Sequence, residues 1–157
     1  MSNLEDLYRE IILDHYRSPR NRGELPSPPA HKVEGFNPLC GDEVTVYLDV
    51  EDGVLKDIKM MGHGCSISQS SSSLMTAAVK GKSLESVQAT IDTFKQLMTV
   101  HESSLTKDAD RDDEVDLRKL GELAALQGVV KFPVRIKCAV LAWNTLRQGL
   151  DEIASPI

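Results

Sequence analysis

Hydrophobic positions along the chain follow a helical period at first, then a strand period, then a helical one again. Leu4, Leu7, Ile11 and Ile12 recur at helical spacing after Ser2 or Asn3, either of which suits an N-cap, and Pro19 ends the pattern. The segment NRGELPSPPAHK, rich in proline and polar residues, reads as an extended loop. Val44, Val46, Leu48 and Val50 then alternate with other residues, and Asp52-Gly53 supplies a tight turn into VLKDIKMMGHG. This stretch predicts a small antiparallel sheet with strands over 32–39, 43–51 and 54–62.

From Cys65 onward the period is helical again. In SISQSSSSLMTAAVKG, Ile67, Ser70 or Ser71, Leu74 and Ala78 fall on one stripe, with Gly81 as a C-terminal stop. Serine-rich tracts are often flexible linkers. Here the apolar stripe runs straight through the serines, so a helix is predicted, with small residues that let it lie close to the sheet. SLESVQATIDTFKQLMTV opens on Ser83 and Glu85-Ser86 as capping material and repeats Val87, Ile91, Phe94 and Leu97 or Met98. Residues 101–114, HESSLTKDADRDDE, break the pattern and are strongly acidic. Asp108, Asp110 and Asp112 suggest a calcium loop, but Asp113 holds the template's glycine position and Lys119 its final glutamate, so a solvated loop is predicted. VDLRKLGELAALQG is a short helix, and PVRIKCAVLAWNTLRQGLDEI a closing one with Pro133 near its start. The expected fold is α+β: one domain over 1–157, with helices packed on a three-stranded antiparallel sheet.

Composition narrows the function. The 157 residues suit one domain with a real core, and no apolar run approaches the roughly 18–20 residues that span a bilayer. The N-terminus carries acids early and shows no signal-peptide pattern, so a soluble cytoplasmic protein is expected. A net charge of −6 argues against nucleic acid or an anionic membrane as the main partner. Three cysteines are too few for a disulfide framework.

Those cysteines are Cys40, Cys65 and Cys138, and none forms a C-x-x-C pair. Each falls at an element end: Cys40 between strands in PLCGD, Cys65 where a strand gives way to a helix in GHGCS, and Cys138 early in the last helix in RIKCAV. A buried small hydrophobe is the plain reading of any one of them. Three ends converging on one rim would instead make a donor set, with Asp42 as a natural fourth ligand because Gly41 lets the turn aim both side chains at one point. A carboxylate is the weakest donor in such a set and the easiest to displace. Cys65 precedes a helix N-terminus, and Arg135 and Lys137 lie near Cys138; all three features favour thiolates. Spacing alone does not name the metal.

NPLCGD, GHGCSISQSSSS and RIKCAVLAW together resemble the IscU-like family of iron–sulfur cluster assembly proteins, and within it the SUF-pathway (SufU-like) branch. The resemblance runs from the first helix to the last. It implies that Cys40, Asp42, Cys65 and Cys138 bind a metal or cluster. It further implies that Cys40 accepts sulfane sulfur as a persulfide from a pyridoxal-phosphate cysteine desulfurase, and that the ion is zinc. The protein would then be a sulfurtransferase-like acceptor, passing sulfur to a cluster scaffold or to apo-proteins. The alternative is a scaffold that assembles a [2Fe–2S] cluster on the same ligands. In the scaffold branch a histidine precedes the last cysteine, within a Leu-Pro-Pro-Val-Lys motif read by a chaperone. VVKFPVRIKC carries Lys137 there and only part of the motif. The stretch between Cys65 and Cys138 is also longer than in that branch, with the acidic residues around 101–126 as the insertion.

Other residues add less. His63, two positions before Cys65, is an alternative ligand that reads more simply as an exposed turn residue. Leu141 and Trp143 read as core, and Arg135 as a residue that steers the desulfurase or holds a persulfide anion. His15, His31 and His101 carry no signal.

Overall fold

A computed structural model describes residues 2–26, 30–38, 41–104, 123, 125–126 and 133–154. The middle strand, β2 (Asp42–Glu51), turns Val44, Val46 and Leu48 to one face, where β-branched and aliphatic side chains pack well. β1 (His31–Asn37) and β3 (Val54–His63) flank it antiparallel, in the order β1-β2-β3. The predicted strands agree with these to within two residues at each end. Asp52 and Gly53 both take positive φ, +54° and +75°, which gives the tight turn their sequence predicts. A register shift between Asp49 and Val50 changes the parity of β3. Leu55 on one side of it and Ile58 and Met60 on the other therefore all reach the core.

Four helices complete the described residues: α1 (Ser2–Arg17), α2 (Ser66–Val79), α3 (Leu84–Ser104) and α4 (Pro133–Ala154). α2 and α4 lie on the inner face of the sheet, α1 packs on α2, and α3 packs on α4. The α3 stripe falls where the spacing puts it: Val87, Ile91, Phe94, Leu97 and Met98 are buried, and Ser83 Oγ caps the helix by accepting from Ser86 N at 3.1 Å. Trp143 is fully buried and stacks on Phe94 with ring centroids 4.4 Å apart; Leu141 is half-buried against the core.

Two expectations need correction. α2 is not buried along one stripe, because every residue from Ser68 to Thr76 is buried while Ile67 and Ala78 are only half-buried. The serines permit this because their hydroxyls find partners without needing water. Ser70 and Ser72 donate to the carbonyls of Ser66 and Ser68, and Ser71 donates to Ala139 O of α4 at 2.5 Å. Ser73 accepts from Arg20 N at 2.8 Å and lies 2.7 Å from His15 Nδ1. The small, polar side chains that suggested a linker thus stitch α2 to α1 and α4. The second correction is that α3 continues through His101 to Ser104, since neither glycine nor proline interrupts it there. The rest of the acidic stretch, where a solvated loop is predicted, and most of the short helix after it fall outside the described residues. Leu123, Ala125 and Leu126 are the described part, and all three are buried. Among the described residues no helix is long and apolar enough to cross a membrane.

Candidate metal centre

Asp42 opens β2, Cys65 caps α2, and Cys138 lies in the second turn of α4. The carboxylate oxygen and the two sulfurs lie within 4.8 Å of one another, although the residues are up to 96 positions apart in sequence (138 − 42). Asp42 and Cys138 are fully buried, and Cys65 is half-buried. The β1–β2 hairpin sets Asp42 in place: Asn37 pairs with Asp42, and Gly41 N donates to Asn37 O at 2.8 Å. The β3–α2 connection then brings Cys65 alongside. Gly64 is needed there because a Cβ on it would collide with the Asp42 carboxylate. Cys40 lies outside the described residues.

Hydrogen bonding leaves this carboxylate half used. Oδ1 of Asp42 accepts from Cys65 N at 3.0 Å, whereas Oδ2 is buried and has no partner among the described residues. A buried carboxylate oxygen with nothing to bind is costly. One carboxylate oxygen of Asp42 and the two sulfurs are close enough together to hold one ion, with bonds of about 2.0–2.3 Å. Soft sulfur with a single oxygen suits zinc or iron better than calcium or magnesium. The sulfurs also sit in a positive setting. Ser68 N, at the start of α2, donates to Cys65 Sγ at 3.4 Å. The exposed Arg135 guanidinium hydrogen-bonds Cys138 and lies within the charge field of Cys65, and these contacts raise its pKa above the usual range.

His63 is 73% exposed and points to Glu43, with 3.4 Å between Nε2 and Oε1, so it is not gathered into the cluster. Lys137 is exposed on α4 beside Cys138. Two polar residues escaped the sequence reading. His15 is 2% exposed and meets α2 at Ser73. Arg22 donates to Gly62 O at 3.2 Å and to Gln69 Oε1 at 3.4 Å, spanning the connection that carries Cys65. Partners 40 and 47 residues away leave no local signal.

With that geometry in place, relatives decide the family. Residues 7–139 match the NifU-like N terminal domain. The chain belongs to that family. It is 41% identical, over 96% of its length and 94% of the relative's, to the zinc-dependent sulfurtransferase SufU of Bacillus subtilis strain 168. It is 37% identical, over 99% of its length and 89% of the relative's, to the iron–sulfur cluster assembly scaffold protein IscU of Streptococcus pyogenes serotype M1. A solved structure from Fervidobacterium islandicum AW-1, assigned to iron–sulfur cluster assembly in the SUF system, superposes with a TM-score of 0.76 at 34% identity, covering 90% of this chain and 94% of that one. The full-length resemblance carried by the three cysteine segments therefore holds, and with it the α+β fold.

Proposed function

We propose that this protein is a zinc-dependent sulfur-transfer partner of a pyridoxal-phosphate cysteine desulfurase of the SUF type, serving iron–sulfur cluster biogenesis with Cys40 as the acceptor. The observation that carries this reading is the convergence of Asp42, Cys65 and Cys138, where one Asp42 carboxylate oxygen is buried without a partner among the described residues. Cys40, two positions from Asp42 in sequence, supplies the fourth donor, and the zinc-dependent relative at 41% identity favours zinc. Zinc held by this set would keep its thiols deprotonated at neutral pH while binding the carboxylate most weakly.

The transfer is thiol exchange at sulfur. The Cys40 thiolate attacks the outer sulfur of the donor's Cys–S–SH. A bond from Cys40 to that sulfur forms as the donor's S–S bond breaks. The donor leaves as a thiolate, and Cys40 retains the sulfane sulfur with its proton. Arg135, exposed beside Cys65 and Cys138, places a fixed cation where the sulfur anions exchange. Cys40→Ala should abolish acceleration of the desulfurase while leaving the fold unchanged. Undiminished acceleration by that variant would remove the acceptor assignment.

The second reading, a scaffold for a [2Fe–2S] cluster, draws on relatives in Streptococcus pyogenes and Thermotoga maritima, both named as IscU scaffold proteins at 37% identity. Lys137 weighs against it, because a protonated ammonium has no lone pair to offer a metal. Iron and acid-labile sulfide in the purified protein would reverse the order of the two readings.

A further inference from the structure

A strand end and a helix start meet at Cys65, and one side chain reaches both. The ladder between β2 and β3 ends at the Glu43–His63 pair, so Gly64 alone links β3 to Cys65. Gly64 has φ of +158°, which other residues rarely adopt, and a glycine link swings freely unless its flanks are held. β2 holds one edge of β3. Along the other edge runs the segment Asn21–Gly23, with Met60 N donating to Asn21 O at 2.9 Å and Gly23 N to Met60 O at 3.0 Å. Beyond this bridge the Arg22 side chain takes over, donating from one nitrogen to Gly62 O at 3.2 Å. Its other terminal nitrogen reaches Gln69 Oε1 at 3.4 Å, on α2 one turn after Cys65. The segment that carries Arg22 is itself fastened to later turns of α2. Arg20 N donates to Ser73 Oγ at 2.8 Å, and Asn21 Nδ2 to Thr76 Oγ1 at 3.1 Å.

Folding alone does not account for Gln69. It is 6% exposed, and its Nε2 is buried with no partner among the described residues. A buried amide nitrogen with nothing to donate to is costly, and the one long bond to Arg22 adds little stability in return. An aliphatic side chain of the same size would fill the position without that cost. What the glutamine supplies is an acceptor for Arg22 on the helix that Cys65 caps. The other side of the metal centre is looser. Gly41, between Cys40 and Asp42, has φ of +73° and no atom within 4 Å of where a Cβ would stand.

We infer that Arg22 and Gln69 are positioning residues of the metal centre. They clamp the Gly64 link from both flanks, keep Cys65 a fixed ligand, and so direct ligand exchange to the Cys40–Asp42 side. A donor whose backbone is held on both sides returns to the ion before a competitor arrives, as any tethered ligand does. The loosely held donor is the one displaced. The inference rests on the sulfur-transfer reading, in which a ligand must leave the ion, and adds which ligand stays and what holds it.

The test compares the zinc-loaded protein with its Arg22→Ala, Gln69→Leu and Gln69→Glu variants. Two quantities are followed: the rate at which zinc passes to a chromogenic chelator, and iodoacetamide labelling of each cysteine, read by peptide mass spectrometry. Arg22→Ala and Gln69→Leu should each release zinc about tenfold faster, the lower end of the effect of contacts that orient metal ligands. Both should raise labelling of Cys65 relative to Cys40. Combined, they should do no more than either alone, because they remove one clamp. Gln69→Glu keeps an acceptor for Arg22 and should stay near wild type. Gln69→Leu should leave the urea midpoint of the metal-free protein no lower than wild type, since it removes the unpartnered amide. Unchanged release and unchanged Cys65 labelling in Arg22→Ala and Gln69→Leu overturn the inference. So does faster release with a lower midpoint in Gln69→Leu, or with an equal rise in labelling at all three cysteines, because either marks a general loosening of the fold. Desulfurase acceleration by the wild type with no clamp effect in the variants removes the inference and keeps the transfer reading; clamp effects without acceleration do the reverse.

Discussion

The backbone N–H of Cys65 donates to Oδ1 of Asp42 at 3.0 Å, so the residue that caps α2 also orients the carboxylate that opens β2. The bond fixes one oxygen and leaves the other buried with no partner among the described residues. A strand end and a helix start are thereby locked together before any metal binds.

Gly64 makes that approach possible, so Gly64→Ala should disturb the site more than the fold. The added methyl would meet the Asp42 carboxylate. We expect a stability loss of about 1–3 kcal/mol, as for other overpacked sites, together with substoichiometric zinc. Metal analysis beside a thermal melt checks both, and a fully loaded variant would show that Asp42 is not a ligand.

Ser71 joins two helices through one hydroxyl, accepting from Trp143 Nε1 at 3.1 Å and donating to Ala139 O at 2.5 Å. Ser71→Ala leaves a buried indole N–H without its acceptor and should destabilise by about 1–3 kcal/mol. Urea unfolding followed by tryptophan fluorescence should show a lower midpoint with an unchanged slope. An unchanged midpoint would mean that the indole finds another acceptor.

How much of this was legible in sequence depended on whether the deciding partner was near in the chain. The hairpin at Asp52-Gly53, the α3 stripe and the buried Trp143 follow from local period and turn chemistry, and they appear as expected. The burial of Ser68–Thr76 was not legible, because serine is polar by type and becomes a core residue only through partners such as Ala139 and His15. The same holds for His15 itself, whose burial depends on a hydroxyl 58 residues away. Of the expected ligands, Asp42, Cys65 and Cys138 are brought together; Cys40 lies outside the described residues. Glycines and element ends marked those three positions, and only the tertiary fold revealed the unused carboxylate oxygen.

Acid should loosen the end of α1 in a defined window. The Arg20 guanidinium, hydrogen-bonded to Asp14 at 2.5 Å, holds that carboxyl below the usual carboxylate range. A carboxylate whose pKa is depressed by folding adds stability above its unfolded value of about 4, and that stability is lost as pH falls through the folded value. Asp14→Asn should therefore melt slightly below wild type at pH 6, and the gap should close progressively as pH falls below about 4. Because the pair is exposed, added salt should shrink the difference. A gap that does not shrink at all as the carboxyl is titrated in acid would exclude the ion pair as its source.

Chelation should silence the protein without unfolding it. The hydrophobic cluster from Val33 to Leu150 is continuous and includes none of Asp42, Cys65 or Cys138. Metal removal should lower the melting temperature, since ion binding stabilises only the folded state, while far-UV circular dichroism at 25 °C stays the same and desulfurase acceleration is lost. Unfolding on chelation would instead make the metal a structural element.

The most direct measurement is zinc, iron and acid-labile sulfide analysis of the protein purified without oxygen, alone and as the Asp42→Ala and Cys138→Ala variants. About one zinc per chain with no iron or sulfide is expected, falling well below one in each variant. Iron and sulfide in roughly equal amounts, or a full zinc complement in both variants, would contradict a zinc centre built on Asp42, Cys65 and Cys138.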